Sequence, residues 1–195
     1  TNLTSIEIPD TVTYIGDYCF SGCNRLQKIK LSKKIQTISQ RLLQGCSSLT
    51  EIEIPEGVKS IGYAAFSSCN KLTTITLPAS LTSFNGTAIA GLSKLTEVKV
   101  ADGNNNFKFE NGMLLSKDGK TMYMALLTLT EINVPNGVVS IVGDTLSGSS
   151  AKKIILPDTV GANLSGTVFN GMNKLTTIEL SSTSKNLKLV DGNLY

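Results

Sequence analysis

The chain has 195 residues, 41% of them hydrophobic, which is enough for one packed domain. Its 18 Lys and Arg against 15 Asp and Glu leave a net charge of +3, too small and too evenly spread for a nucleic-acid or anionic-membrane footprint. No apolar run reaches 18 residues, which excludes a spanning helix, and the absence of histidine removes the usual general base and the commonest metal ligand.

Four copies of one 23-residue unit open the chain, starting at Leu3, Leu26, Leu49 and Leu72. Self-similarity at this period marks a solenoid, in which each coil buries its apolar side chains only against its neighbours. The third copy, LTEIEIPEGVKSIGYAAFSSCNK, shows what one coil does. Ile52 and Ile54 alternate with Glu51 and Glu53, the period-2 pattern of a half-buried strand. Pro55 ends the ladder because it has no N–H to donate, and Val58 and Ile61 turn back inward. Gly62 reads as a backbone bend, and Tyr63 to Cys69 as one helical or 3₁₀ turn that drops Phe66 into the core.

The fifth copy starts at Leu95 and the next at Leu129, 34 residues on, so this coil carries an insertion at about 103–126. Within it, two apolar runs flank Lys117-Asp118-Gly119-Lys120, a hairpin signal. Met113, Leu115, Met122 and Met124 are expected to pack one apolar face of that hairpin on the solenoid. Copies six to eight start at Leu129, Ala151 and Leu175. In the eighth, LKLVDGNLY parallels FKFENGMLL of the insertion, so a second hairpin begins there, and the chain reads as part of something longer.

Stacking places equivalent positions in ladders. One runs Phe20, Leu43, Phe66, Ile89, Leu146, Phe169, and another runs Cys23, Cys46, Cys69, Leu92, Ser149, Met172. Apolar replacements in the second say that the site wants buried volume, so its cysteines read as free thiols. The fold expected is a single domain over 1–195, a β-rich α/β solenoid, right-handed, of about eight coils with a hairpin insertion.

Catalytic, cofactor and metal motifs are not found. Asp102-Gly103-Asn104-Asn105-Asn106 has oxygens at alternate positions, but Phe107 stands where a calcium loop needs Gly, so it reads as a polar turn. The candidate partner-binding surface is the outward strand positions Glu7, Lys28, Lys30, Glu51, Glu53, Thr74, Thr76, Glu97, Lys99, Glu131 and Asn133. A smaller candidate docking patch is Tyr123 with Met122 and Met124, should they stay open to solvent. Tyr14, Tyr18 and Tyr63 form a weaker rival on the opposite side of the coil. The expected role is a protein-interaction module, monomeric as a domain. A spacer carrying another domain is the alternative and carbohydrate binding the third reading, since the strand positions carry no aromatic platform.

The unit L-x-x-I-x-I-P-x-x-V-x-x-I-G-x-x-A-F-x-x-C resembles the BspA-like subgroup of leucine-rich repeats over residues 3–195, and ENGMLLSKDGKT resembles an interruption common among its members. The resemblance implies a leucine-rich-repeat array in a bacterial surface or secreted protein. It also implies an adhesive role whose partners are host matrix or bacterial surface proteins. Repeat two departs from the pattern with Ser32 for Pro and Ser39 for Gly, and repeats six and seven have Val142 and Ser165 at the Gly position.

Overall fold

The computed structural model describes residues 2–164, 166–180, 189–190 and 193–194, with backbone alone at 161–163, 189–190 and 193–194. Strands come in chain order as one or two short pieces per coil. Coil one gives β1 (Ser5–Glu7), coil two β2 (Lys28–Lys30) and β3 (Thr37–Ile38), and coil three β4 (Glu51–Glu53) and β5 (Ser60–Ile61). Coil four gives β6 (Thr74–Leu77) and β7 (Ser83–Phe84), and coil five β8 (Glu97–Val100), β9 (Phe107–Glu110), β10 (Met113–Ser116) and β11 (Thr121–Ala125). Then follow β12 (Glu131–Asn133), β13 (Ser140–Ile141), β14 (Lys153–Leu156), β15 (Thr177–Leu180), β16 (Leu189–Val190) and β17 (Asn193–Leu194).

Parallel pairing between coils builds a β-solenoid of about seven turns. The first strand of each coil joins its equivalents in three sheets, β1–β2, β4–β6–β8 and β12–β14–β15. Pairs such as Ile52↔Ile75 and Ile75↔Val98 keep every inward side chain over its homologue. A second ladder, β3–β5–β7, stacks Ile38, Ile61 and Phe84.

The α/β expectation gives way here, because the described residues contain no α-helix, only two 3₁₀ helices at Gly86–Ile89 and Asp158–Asn163. The A-F-x-x-C segments are mostly turns, for a reason visible in their hydrogen bonds. The amides of Tyr18, Phe20 and Gly22 donate to the carbonyls of Gln40, Leu42 and Gln44 in the next coil, at 3.1, 3.0 and 2.7 Å. Donors spent between coils cannot close i→i−4 rings. The neighbouring coil also fixes the conformation, holding Tyr18, Arg41 and Ala64 at φ of 61, 52 and 51°. Gly62 likewise has a different cause from the bend expected. Its φ is not positive, but a Cβ there would lie 3.0 Å from the backbone nitrogen of Gln40, so close stacking of the coils selects glycine.

Repeat two tolerates its serines because each hydroxyl finds a carbonyl in the preceding coil. Ser32 donates to Val12 at 2.6 Å and Ser39 to Ile15 at 2.5 Å, and both serines are buried. A buried hydroxyl without such a partner would cost about 1–3 kcal/mol.

The insertion is a three-stranded antiparallel meander, β9–β10–β11, whose last strand pairs in parallel with β13. It therefore occupies a rung in the stack. The hairpin β10–β11 forms around Asp118-Gly119 as expected, with the Asp118 carboxylate accepting from the Ser116 hydroxyl at 2.6 Å and the Lys120 amide at 3.0 Å. Those bonds hold its pKa below the usual carboxylate range, the Ser116 hydroxyl contributing most. The one-faced packing is corrected, since both faces are buried. Leu114 and Met124 pack into the cluster of coils one to five, while Met113, Leu115, Met122 and Ala125 pack into that of coils six to eight. The insertion is the layer between two halves of the core.

The backbone repeats this device at β16–β17, where Leu189 pairs with Leu194 as Phe109 pairs with Leu114. Ser165, Asn186 and Leu187 lie outside the described residues.

Candidate functional site

Every outward strand position singled out in the sequence from Glu7 to Asn133 lies at the surface, with the isoleucine or valine between each pair turned into the core. The face is nevertheless not one sheet. β12 pairs with β14 and not with β8, so Glu131 and Asn133 belong to a separate sheet beyond the insertion. The expected continuous surface is thus interrupted between Lys30 and Glu51, where β2 does not pair with β4, and again beyond Lys99.

Charge along this face is grouped by coil. Coil one presents Glu7 and Asp10, coil two Lys28, Lys30 and Lys33, coil three Glu51, Glu53 and Glu56, and coil four Thr74 and Thr76. Lys30 binds Glu7 at 2.5 Å, which raises the lysine pKa, the hydrogen bond being the main cause. Beyond the insertion, Lys153 lies 2.9 Å from Glu179 and 3.9 Å from Glu131. Its pKa is raised, chiefly by the hydrogen bond to Glu179. Exposed pairs of this kind contribute about 0–1 kcal/mol each. Lys28, Glu51 and Glu53 have no ion pair within 4.0 Å among the described residues.

These open charges line a groove of about 750 Å³ across coils two to four, beneath which Ile29, Leu31, Ile52 and Pro55 are buried. Lys33 and Glu56 belong to it although they escaped the sequence reading, which considered only alternating strand positions. The signal was available, because Asp10, Lys33 and Glu56 stand at one register 23 residues apart.

The smaller patch does not hold. Met122 and Met124 are 0% and 3% exposed, so neither offers surface to a partner. Tyr123 is half-buried, its ring set edgewise on Phe107 at 5.3 Å and on Phe84 at 6.5 Å between centroids. Across the coil, Tyr14 is open, but Tyr18 and Tyr63 are occupied by the chain itself. The Arg41 guanidinium lies between their rings, 5.4 and 5.2 Å from the centroids, and donates to the Tyr18 hydroxyl at 3.0 Å.

Asn104 sits at the register of Leu81 and is 1% exposed. Its amide nitrogen donates to the Pro78 and Leu81 carbonyls at 2.8 and 3.3 Å, and its oxygen accepts from the Asn106 and Phe107 amides at 2.8 and 2.9 Å. The carboxamide is consumed in closing the turn, as the polar-turn reading expects.

None of the four cysteines is in a disulfide, and only Cys19 is exposed. The Cys46 and Cys69 thiols donate to the Phe20 and Leu43 carbonyls, both at 3.2 Å, and burial pushes each pKa up to about 12. At pH 8 a thiol with that pKa is thiolate about once in ten thousand molecules, whereas an ordinary one is about a quarter thiolate. Alkylation of the native protein at pH 8 should therefore modify Cys19 and leave Cys46 and Cys69 intact. Mass spectrometry should show all four modified in denaturant, and prompt native labelling of Cys69 would contradict the burial.

The sequence profile of the BspA type leucine rich repeat region, in six copies, matches residues 1–111 and 119–189. The chain belongs to the BspA-type leucine-rich repeat family. No curated protein resembles it in sequence. Three solved structures carry the same repeat fold. The pneumococcal vaccine antigen PcpA superposes with a TM-score of 0.71 at 24% identity, over 91% of this chain and 50% of its own. A leucine-rich repeat protein from Eubacterium ventriosum gives 0.68 at 16% identity, over 91% and 60%. One from Bacteroides ovatus gives 0.57 at 23%, over 91% and 60%. At these identities the likeness is one of fold, and this BspA-type chain spans about half to three fifths of the structures it matches.

Proposed function

We propose that the chain is a protein-interaction module of a bacterial cell-surface or secreted protein, one domain that uses the strand face of coils two to four in adhesion. The observation that carries this reading is the groove lined by charges of both signs, of which Lys28, Glu51 and Glu53 have no ion pair within 4.0 Å among the described residues. Charges left open in this way select a partner of complementary charge. The positions engaged are Lys28, Lys30, Glu51, Glu53, Thr74 and Thr76, with Glu7, Glu97 and Lys99 at the margins. Glu131 and Asn133 lie on the separate sheet beyond the insertion and stand outside this surface. Kinship with bacterial proteins supports the setting, PcpA being a pneumococcal vaccine antigen. A binding role also asks for no catalytic group, in keeping with a chain that has no histidine and whose core thiols are held protonated.

The test is retention of the labelled chain on immobilised basement-membrane extract and on whole bacterial cells. Reversing Lys28 and Lys30 to Glu should weaken retention about tenfold or more, since charge complementarity sets partner choice. Reversing Lys71, which is exposed and outside the groove lining, should not. Retention indifferent to the groove reversals would leave the solenoid as a spacer.

A further inference from the structure

The charge bands of the strand face have a symmetry that a single copy does not use. Coil two is wholly basic at its three outward positions, Lys28, Lys30 and Lys33, and coil three wholly acidic at the equivalent ones, Glu51, Glu53 and Glu56. The partners match by register, since each glutamate lies 23 residues after its lysine. A two-fold axis parallel to the strands and midway between these coils would carry coil two of one copy onto coil three of another. Each lysine then faces the glutamate of its own row, and by symmetry each contact occurs twice.

The flanking coils agree with this placement. The same axis sets coil one, with Glu7 and Asp10, against coil four, with neutral Thr74 and Thr76, so no like charges meet. Moving the axis one coil toward the C-terminus sets the basic coil two against coil five, whose Glu97 and Lys99 already pair with each other at 3.6 Å. Within one copy Lys30 pairs with Glu7 and Glu56 accepts from the Ala79 amide, but Lys28, Glu51 and Glu53 have no ion pair among the described residues.

We infer that the partner of this face is a second copy of the chain, joined face to face in a two-fold, salt-sensitive dimer. This departs from the monomer expected of the sequence. It rests on the strand face being the binding surface and adds what that surface fits.

Analytical ultracentrifugation of the chain, at concentrations up to about 1 mM, tests it. Self-association is expected at about 0.05 M salt and should weaken about tenfold or more by about 0.5 M, where the screening length has fallen below the span of the face. The triple variants K28E/K30E/K33E and E51K/E53K/E56K should each be monomeric alone and form a mixed dimer when combined. A chain carrying all six changes restores the pattern with the bands exchanged and should dimerise again. Circular dichroism melts confirm that each variant is folded. A wild type that stays monomeric at low salt overturns the inference, as does a dimer that either triple reversal leaves unchanged. If self-association is missing while retention on matrix or cells still depends on Lys28 and Lys30, the second copy is wrong and the binding face stands. If both are missing, both readings fall.

Discussion

Removing residues 111–125 is expected to abolish cooperative folding rather than to shorten a loop. The excised segment contains Met113, Leu114, Leu115, Met122 and Met124, none more than 3% exposed. Burying one large aliphatic side chain contributes about 1.5–3 kcal/mol, so these five together contribute about 10 kcal/mol. That equals the whole net stability of a typical domain, about 5–15 kcal/mol. The loss is not confined to one side, because Leu114 and Met124 belong to the first cluster and Met113, Leu115 and Met122 to the second. A milder variant, Leu114→Ala, should cost about 2–5 kcal/mol. Thermal melts followed by far-ultraviolet circular dichroism measure both. A deletion variant that melts like the parent would show that the insertion is ornamental.

Gly86→Ala is expected to be strongly damaging for the addition of a single methyl group. A Cβ on Gly86 would lie 2.5 Å from Thr145 Cγ2, 2.7 Å from the Tyr123 carbonyl oxygen and 3.0 Å from Val142 Cγ1. Thr145 cannot simply swing away, being 6% exposed and bonded through its hydroxyl to the Val142 carbonyl at 2.8 Å. The carbonyl of Tyr123 is backbone of β11, so relief requires moving the insertion off coil four. Overpacking of this kind costs about 1–3 kcal/mol and sometimes more. For a chain of this size that lowers the melting temperature by about 5–10 °C. Gly16→Ala is the control, with nothing within 4 Å of its Cβ and an expected shift of less than about 1 °C. Equal melting of the two variants would mean that coil four and the insertion are not in contact as described.

The repeat made the stack legible, because position 23 residues away decides what each side chain meets. The alternation of Ile52 and Ile54 with Glu51 and Glu53 gave both the buried ladder and the outward charges. What a coil does with its extra residues was harder to read, since 11 added positions are compatible with a loop outside the stack or a layer within it. The deciding signal was Met113-Leu114-Leu115, three consecutive apolar residues where a one-faced hairpin would alternate. A continuous apolar run is what a strand covered on both faces looks like. Asn111-Gly112, at φ of 51 and 76°, was also readable as the turn joining β9 to β10, yet the neighbouring Asp118-Gly119 drew the attention.

The A-F-x-x-C turns were not readable as such. Their short length suits a helical turn equally well, and only the amides bonded between coils decide the matter. At the candidate site, exposure followed from alternation, whereas the break at β8 followed from the burial of the insertion and was invisible until that was known.

The most direct test of the account is hydrogen exchange at the amides of 113–115 and 122–125, the layer between the two core clusters. These amides are expected to open only with the whole protein, with protection equal to that of Ile61 in coil three and Ile154 in coil seven, and both flanks should lose protection together. Their exchange within seconds, while either flank stays protected, would rule out a layer shared by the two clusters.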